Sequence, residues 1–251
     1  MPWSWCSRTG DRPVSPRGSG SCRTHQTCDG NSDTRTRKSA RPYCMRMATE
    51  RYGELLLEWN RTVNLTGART AEDVRRHIRD AERLLDLEWR AVTQVIDIGS
   101  GGGLPAIPLA LRLPQIHFAL LEASSRKSAF LQHTAGSLGL GNVTVLTGRA
   151  ELYGHLPAYR ETFDRAISRA AARPPVLLEL ALPFVRTGGD LIAEVGEIDP
   201  TALESASRLL GGGSPRVHPA DGGTLLLVAK VGPTPATYPR RPGVPSRRPL
   251  S

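Results

Sequence analysis

Beyond Cys44 the 251-residue chain has no cysteine. That excludes disulfide staples from residues 45–251 and closes any route there that needs a thiolate nucleophile. A core without disulfides fits a reducing setting, and the expected location is the cytoplasm. The four cysteines present, Cys6, Cys22, Cys28 and Cys44, form no C-x-x-C pair, and His25 adds little, so no metal site is expected. No run approaches the roughly 18 apolar residues of a membrane span. Nor does the N-terminus carry the continuous apolar stretch of a secretory signal. Acid is missing from residues 230–251, which hold Lys230, Arg240, Arg241, Arg247 and Arg248. Residues 1–50 hold nine basic groups against four acids. The net charge of +9 therefore sits at the ends, and residues 51–229 are near neutral, with 19 basic and 20 acidic groups. Cationic ends suit an anionic partner.

Residues 1–45 are rich in Ser, Thr, Gly, Pro and Arg and show no helical or strand period. They are read as disordered, or as an extension from a start codon chosen too far upstream. Residues 46–90 read as a helical cap. In residues 50–59 Tyr52, Leu55, Leu56 and Trp59 share one helical face, and a second helix is expected over 71–87. Residues 91–231 form the main domain. Strands are expected at 94–98, 117–121, 143–146, 163–168 and 190–195, and helices at 104–112, 125–138, 174–185 and 201–210. Val217 and residues 224–228 suggest a closing hairpin around Asp221-Gly222-Gly223. Strands alternating with helices give an α/β fold with a mostly parallel sheet and an antiparallel far edge. Residues 232–251, with six prolines, read as an extended basic tail.

The first strand runs into a glycine loop, Asp97-Ile98-Gly99-Ser100-Gly101-Gly102-Gly103. A phosphate-binding loop needs Gly-Lys-Ser/Thr at its end, where Leu104-Pro105 stands. A dinucleotide loop, G-x-G-x-x-G/A, is met by Gly101, Gly103 and Ala106 and stays open on spacing alone. The third candidate is the S-adenosylmethionine loop, an acid, one apolar residue, then G-x-G-x-G. Asp97, Gly99, Gly101 and Gly103 match it throughout. A carboxylate beside the loop suits a cationic cofactor and repels a phosphate. Glu122, ending the second strand, can accept both ribose hydroxyls. Backbone groups of Ala150 or Glu151, after the third strand, can read an adenine edge.

The fourth strand ends in Ser168-Arg169-Ala170-Ala171, where amine methyltransferases often carry Asn/Asp-Pro-Pro-aromatic. With neither that tetrapeptide nor a cysteine, an acceptor with its own lone pair is favoured, and guanine N7 is one. Transfer would then rest on positioning. Arg169 at the strand end is the candidate positioning residue, able to hold a guanine O6 or a phosphate.

From about Arg51 onward the chain resembles the RsmG (GidB) methyltransferase family. The resemblance rests on Trp59-Asn60-Arg61-Thr62-Val63-Asn64-Leu65-Thr66, His77-Ile78-Arg79-Asp80, and the glycine loop continued through Leu104-Pro105-Ala106-Ile107-Pro108-Leu109. Lys127-Ser128-Ala129-Phe130-Leu131, Gly148-Arg149-Ala150-Glu151, Ser168-Arg169-Ala170 and Tyr238-Pro239-Arg240-Arg241-Pro242-Gly243 complete it. It implies the class I S-adenosylmethionine-dependent methyltransferase fold, Rossmann-like, with an N-terminal helical cap. It implies formation of 7-methylguanosine in 16S ribosomal RNA near the decoding centre, on free RNA or on the small subunit, by a monomer. Implied cofactor residues are Gly99, Leu104, Ala150, Glu151 and Arg169, which join Gly101 and Glu122 from the reading of the loop and the second strand. Asn64, Arg240 and Arg241 are implied to face the RNA. The chain departs from the family at Ala106, usually Gly, at Ala81, usually Ser, and at Val195, often Lys. A methyltransferase acting on a small molecule or a protein shares the same fold signals. A nicotinamide-dependent oxidoreductase and a non-catalytic RNA-binding protein are the remaining readings.

Overall fold

The computed structural model describes residues 34–220 and 223–250. Helix α1 (Thr34–Asn60) comes first, then α2 (Ala71–Glu82), whose start is fixed by a capping box between Thr70 and Asp73. Strand β1 (Gln94–Ile98) leads to α3 (Ala106–Arg112), β2 (His117–Glu122) to α4 (Ser125–Ser137), and β3 (Val143–Thr147) to the short α5 (Ala150–Tyr153). Strand β4 (Phe163–Arg169) precedes α6 (Pro174–Ala181) and β5 (Val185–Val195). Helix α7 (Glu204–Leu209), the hairpin β6 (Arg216–Ala220) and β7 (Gly223–Ala229), and α8 (Val244–Arg247) finish the chain.

The strands form one seven-stranded sheet in the order β3-β2-β1-β4-β5-β7-β6. Strands β1 to β5 pair in parallel, while β7 runs antiparallel to both β5 and β6. The strand order reverses between β1 and β4, and such a switch point leaves a crevice at the carboxyl ends of the strands.

Alternation along each strand decides which face each residue covers. Val95, Phe118, Leu120, Ile167 and Ile192 face α3, α4 and the cap, and pack with Tyr52, Leu56, Val74 and Ile78 in one core. Ile96, Ile98, Leu121, Ala166 and Leu191 face the other way, onto α6 and α7. The cap thus shares a core with the sheet. Ala81 is fully buried there.

The structure corrects several expectations. Disorder was expected over residues 1–45. Residues 1–33 lie outside those described, but α1 is already helical from Thr34. Arg, Lys and Ala are good helix formers, so a helix anchored by its packed end propagates backward without an apolar face. The second helix tightens into a 3-10 turn at Arg83–Asp86. Pro105 stands at the N-cap of α3 rather than in its first turn. The helix expected to reach residue 185 ends at Ala181, because Pro183 cannot continue it and a 3-10 turn takes over. Residues 232–250 are not extended throughout, since they contain α8 and pack back on the domain. The Arg160 guanidinium donates to Gly154 O, Tyr238 O and Thr234 O at 2.7–2.8 Å. Thr234 N donates to Glu161 at 2.6 Å, and His155 Nε2 lies 2.7 Å from Pro239 O. Prolines leave carbonyls free, and these groups satisfy them.

Candidate functional site

The crevice at the switch point is a cavity of about 630 Å³. Gly99, Gly101, Leu104, Glu122, Ala150, Glu151 and Arg169 all line it, so the structure brings together the seven residues singled out from sequence. They come from four strand ends, those of β1 to β4, and the loops that follow them, which only the parallel register can juxtapose.

The glycine loop is tied on both sides. Gly99 N and Ser100 N donate to Leu121 O at 2.9 and 3.2 Å. Gly101 N donates to Glu122 Oε2 at 2.9 Å, and Ser124 N donates to Glu122 Oε1 at 2.7 Å. Glu122 is buried and its carboxylate is held by these two amides at the cavity wall. From the cap side, the buried Tyr52 hydroxyl donates to Gly102 O at 2.7 Å. Burial raises the Tyr52 pKa, and the neighbouring Asp97 adds to the shift.

Asp97 is the unusual group. It is 1 % exposed, and neither carboxylate oxygen has a hydrogen-bond partner. Burial raises its pKa well above the carboxylate range; the neighbouring Ser100 hydroxyl opposes the shift, and Glu122 and Glu194 add to it. A buried acid with no donor is costly unless a cation or donor arrives.

Arg169 ends β4 inside a cage. Its guanidinium donates to His77 O at 3.2 Å and to His77 Nδ1 at 3.1 Å. It also pairs with Glu194 at 3.0 Å and lies 3.8 Å from Asp80. Arg donates only, so His77 Nδ1 accepts and the ring is neutral. Burial lowers the His77 pKa, and the Arg169 charge lowers it further. A depressed histidine gives stability that is present above its unfolded value and lost as pH falls below it. Denaturation midpoints of the wild-type chain are therefore expected to decline as pH falls through and below the ordinary histidine pKa of about 6.5, and those of His77→Gln to decline less. Identical pH profiles for the two proteins would refute the assignment.

Asn60 is a residue that sequence reasoning quoted without a role. Its Nδ2 donates to Thr66 O and Ala68 O at 3.0 and 2.9 Å, and its Oδ1 accepts from Leu65 N and Thr66 N at 2.7 and 2.9 Å. It folds the loop whose Leu65, Thr66 and Gly67 line the cavity. The signal was its place between Trp59 and a turn too short to pair its own backbone. Asn60→Ala is expected to lower unfolding free energy by about 2–6 kcal/mol, at roughly 0.5–1.5 for each of the four lost bonds. Urea unfolding checks this.

The residues expected to face RNA divide. Asn64 is exposed in the loop over the cavity, and Arg241 is exposed in the tail. Arg240 is not available. Its backbone N donates to Glu179 Oε1 at 2.7 Å, and its guanidinium donates to both Glu179 oxygens. Glu179 is buried on α6 and needs that charge, which composition alone does not show. Glu151 likewise accepts from Gly243 N at 2.9 Å, and the tail brings Ser246 to the cavity. Among the described residues no helix is long and apolar enough to cross a membrane, and no group of three or more His, Cys, Asp or Glu is placed to hold a metal.

A family model described as rRNA small subunit methyltransferase G matches residues 45–210. A protein of Moorella thermoacetica named ribosomal RNA small subunit methyltransferase G is 43% identical over 212 residues, covering 80% of this chain and 88% of that one. Its namesake in Deinococcus radiodurans is 40% identical over 211 residues, covering 78% and 82%. Among solved structures, the mitomycin 7-O-methyltransferase MmcR is similar with a TM-score of 0.52 at 11% identity, covering 64% of this chain and 57% of that one. A candidate S-adenosyl-L-methionine-dependent methyltransferase of Methanococcus maripaludis gives 0.51 at 15% identity, covering 73% and 94%. These two likenesses bear on the fold.

Proposed function

The chain belongs to the ribosomal RNA small subunit methyltransferase G family, and on that premise we propose that it uses S-adenosylmethionine to form 7-methylguanosine in 16S ribosomal RNA near the decoding centre. One observation carries the cofactor assignment: a buried, partnerless Asp97 lies behind a glycine loop at the switch point of the sheet. A dinucleotide would bring phosphate to that carboxylate, whereas S-adenosylmethionine brings an ammonium and a sulfonium. When bound, the cofactor supplies an electrophilic methyl group.

The chain's own residues do the rest. Asp97 holds positive charge beneath the loop. Gly99, Gly101 and Leu104 let the backbone approach closely. Glu122 accepts ribose hydroxyls, and the backbone at Ala150 and Glu151 reads the adenine edge. Arg169, fixed by His77 and Glu194, positions the acceptor. Guanine N7 attacks with its own lone pair, so no general base is required, and the cleft contributes orientation and exclusion of water. RNA meets the exposed side of this cleft. Arg61 and Arg69 flank its loop, Lys127 and Arg149 line it, and Asn64 and Arg241 stand free nearby. The enzyme acts as a monomer in the cytoplasm, where its RNA partner is made.

The test is mass spectrometry of nucleosides from small-subunit RNA of a strain lacking the gene, with and without complementation. Loss of 7-methylguanosine and its return on complementation support the reading, and an unchanged level overturns it.

A further inference from the structure

A second cavity of about 310 Å³ opens behind Arg169, between the end of α2, the ends of β4 and β5, and the start of β7. It shares Arg169, Ala170 and Ala172 with the larger cleft, so the two are lobes of one depression. Its charged lining is Asp80, Arg83, Arg169 and Glu194. None of the residues assigned to the cofactor belongs to it except Arg169. The motif His77-Ile78-Arg79-Asp80 supplies its α2 wall, and Asp80 has no role in the reaction as derived so far.

We infer that this lobe seats the acceptor guanine, and that the carboxylates of Asp80 and Glu194 accept hydrogen bonds from its N1–H and 2-amino group. The inference rests on the guanine-N7 reading above. Three observations carry it. First, the lobe is large enough for one planar base and adjoins the cleft through the single wall that holds Arg169. Second, its acceptors are incompletely used. Glu194 Oε2 pairs with Arg169 at 3.0 Å, but Oε1 is buried at the cavity wall without a partner. Asp80 is held by Arg83 at 3.3 Å and more distantly by Arg169 at 3.8 Å. Buried acceptors are almost always satisfied, so an orphan there calls for a donor. Burial also raises the Glu194 pKa, as it does for an acid short of partners.

Third, the chemistry of the two purines differs on this edge. Guanine offers adjacent donors at N1 and N2, while N7 lies away from them on the imidazole side of the purine. Carboxylates gripping the donor edge leave N7 free to face the cofactor. Adenine offers an unprotonated N1 there and would meet acceptor with acceptor, so the pair selects against it. The same charges serve the chemistry. The N7–methyl bond forms as the sulfonium S–C bond breaks, and the positive charge passes from sulfur to the purine ring. Fixed carboxylates beside the ring stabilise that charge where it develops.

The experiment compares guanosine with inosine, which lacks the 2-amino group, at the mapped methylation position of a small-subunit RNA. The proteins are wild type, Asp80→Ala, Glu194→Ala and Glu194→Gln. Wild type is expected to methylate the inosine RNA roughly tenfold or more slowly in kcat/KM. Asp80→Ala or Glu194→Ala should bring guanosine down toward inosine and shrink that ratio to within about threefold, while S-adenosylmethionine affinity by calorimetry stays near wild type. Glu194→Gln keeps an acceptor oxygen and should keep more of the ratio than Glu194→Ala. A merely structural role would lower both rates together and leave the ratio unchanged, and that result overturns the inference. Equal wild-type rates on guanosine and inosine overturn it too, with the N7 reading intact. If wild type forms no 7-methylguanosine on any RNA, the underlying reading fails and the inference falls with it.

Discussion

Gly101→Val should abolish S-adenosylmethionine binding while leaving a folded protein. The two effects separate because of where Gly101 sits. A Cβ placed there meets nothing closer than 3.8 Å, so the core has no clash to relieve. The added side chain instead stands in the cleft that Gly101 lines. Backbone strain adds to this, since φ is +52° and a β-branched residue is a poor occupant of that region. Straightening the loop would also pull Gly101 N from Glu122. Affinity is expected to fall at least ~100-fold, about 2.7 kcal/mol. The melting temperature should fall by less than about 10 °C, at roughly 2–4 °C per kcal/mol for a chain of this size. Gly103→Val is the contrast. Its Cβ would lie 2.5 Å from Ile107 Cγ1 and 3.2 Å from Leu131, inside the core, so that variant should lose fold and binding together. Calorimetry beside thermal melting distinguishes them. Retained affinity within about threefold for Gly101→Val would refute the placement.

Arg240→Ala is expected to cost stability rather than RNA affinity, by about 3–5 kcal/mol. The Glu179 side chain is 0% exposed and that of Arg240 26%, so the substitution strands a carboxylate in the core. The same pair holds Arg240 above its ordinary pKa, through the hydrogen bonds it donates to Glu179. The melting temperature should drop by roughly 6–20 °C. A double replacement, Glu179→Leu with Arg240→Met, should recover most of the loss, since a well-packed apolar pair can match a buried ion pair. Arg241→Ala, at an exposed neighbour, should leave the melting temperature within about 1–2 °C of wild type and weaken RNA binding. If Arg240→Ala melts like wild type and binds RNA less well, Arg240 belongs to the RNA face after all.

What could be read ahead of the structure follows from what periodicity encodes. Strand and helix alternation, the hairpin and the glycine loop are local signals, and five strands and most helices stand within a few residues of their expected bounds. Gly99, Glu122 and Arg169 were legible because each follows a strand, and parallel strands deliver their ends to one edge. Long-range satisfaction was not legible. Glu179 looks in sequence like the polar side of a helix, and nothing local says that it is buried. Arg240 looks like a free phosphate contact for the same reason. Asn60, His77 and Asp80 lie in recognised motifs, but the first finds its partners in a loop and the other two meet Arg169 at the end of β4. The charge of the tail was countable, and what it neutralises was not.

The order of synthesis gives the Glu179–Arg240 pair a further meaning. The partners are 61 residues apart, and a ribosome delivers them N-terminal first. Helix α6 therefore emerges with a carboxylate destined for the core and no cation to meet it. Until residues 232–250 follow, that acid has no Arg240 to pair with. Glu151, whose acceptor waits for Gly243, is in the same position beside the cofactor cleft. A polypeptide lacking residues 240–243 therefore loses both the cation that meets Glu179 and the amide that Glu151 accepts beside the cleft.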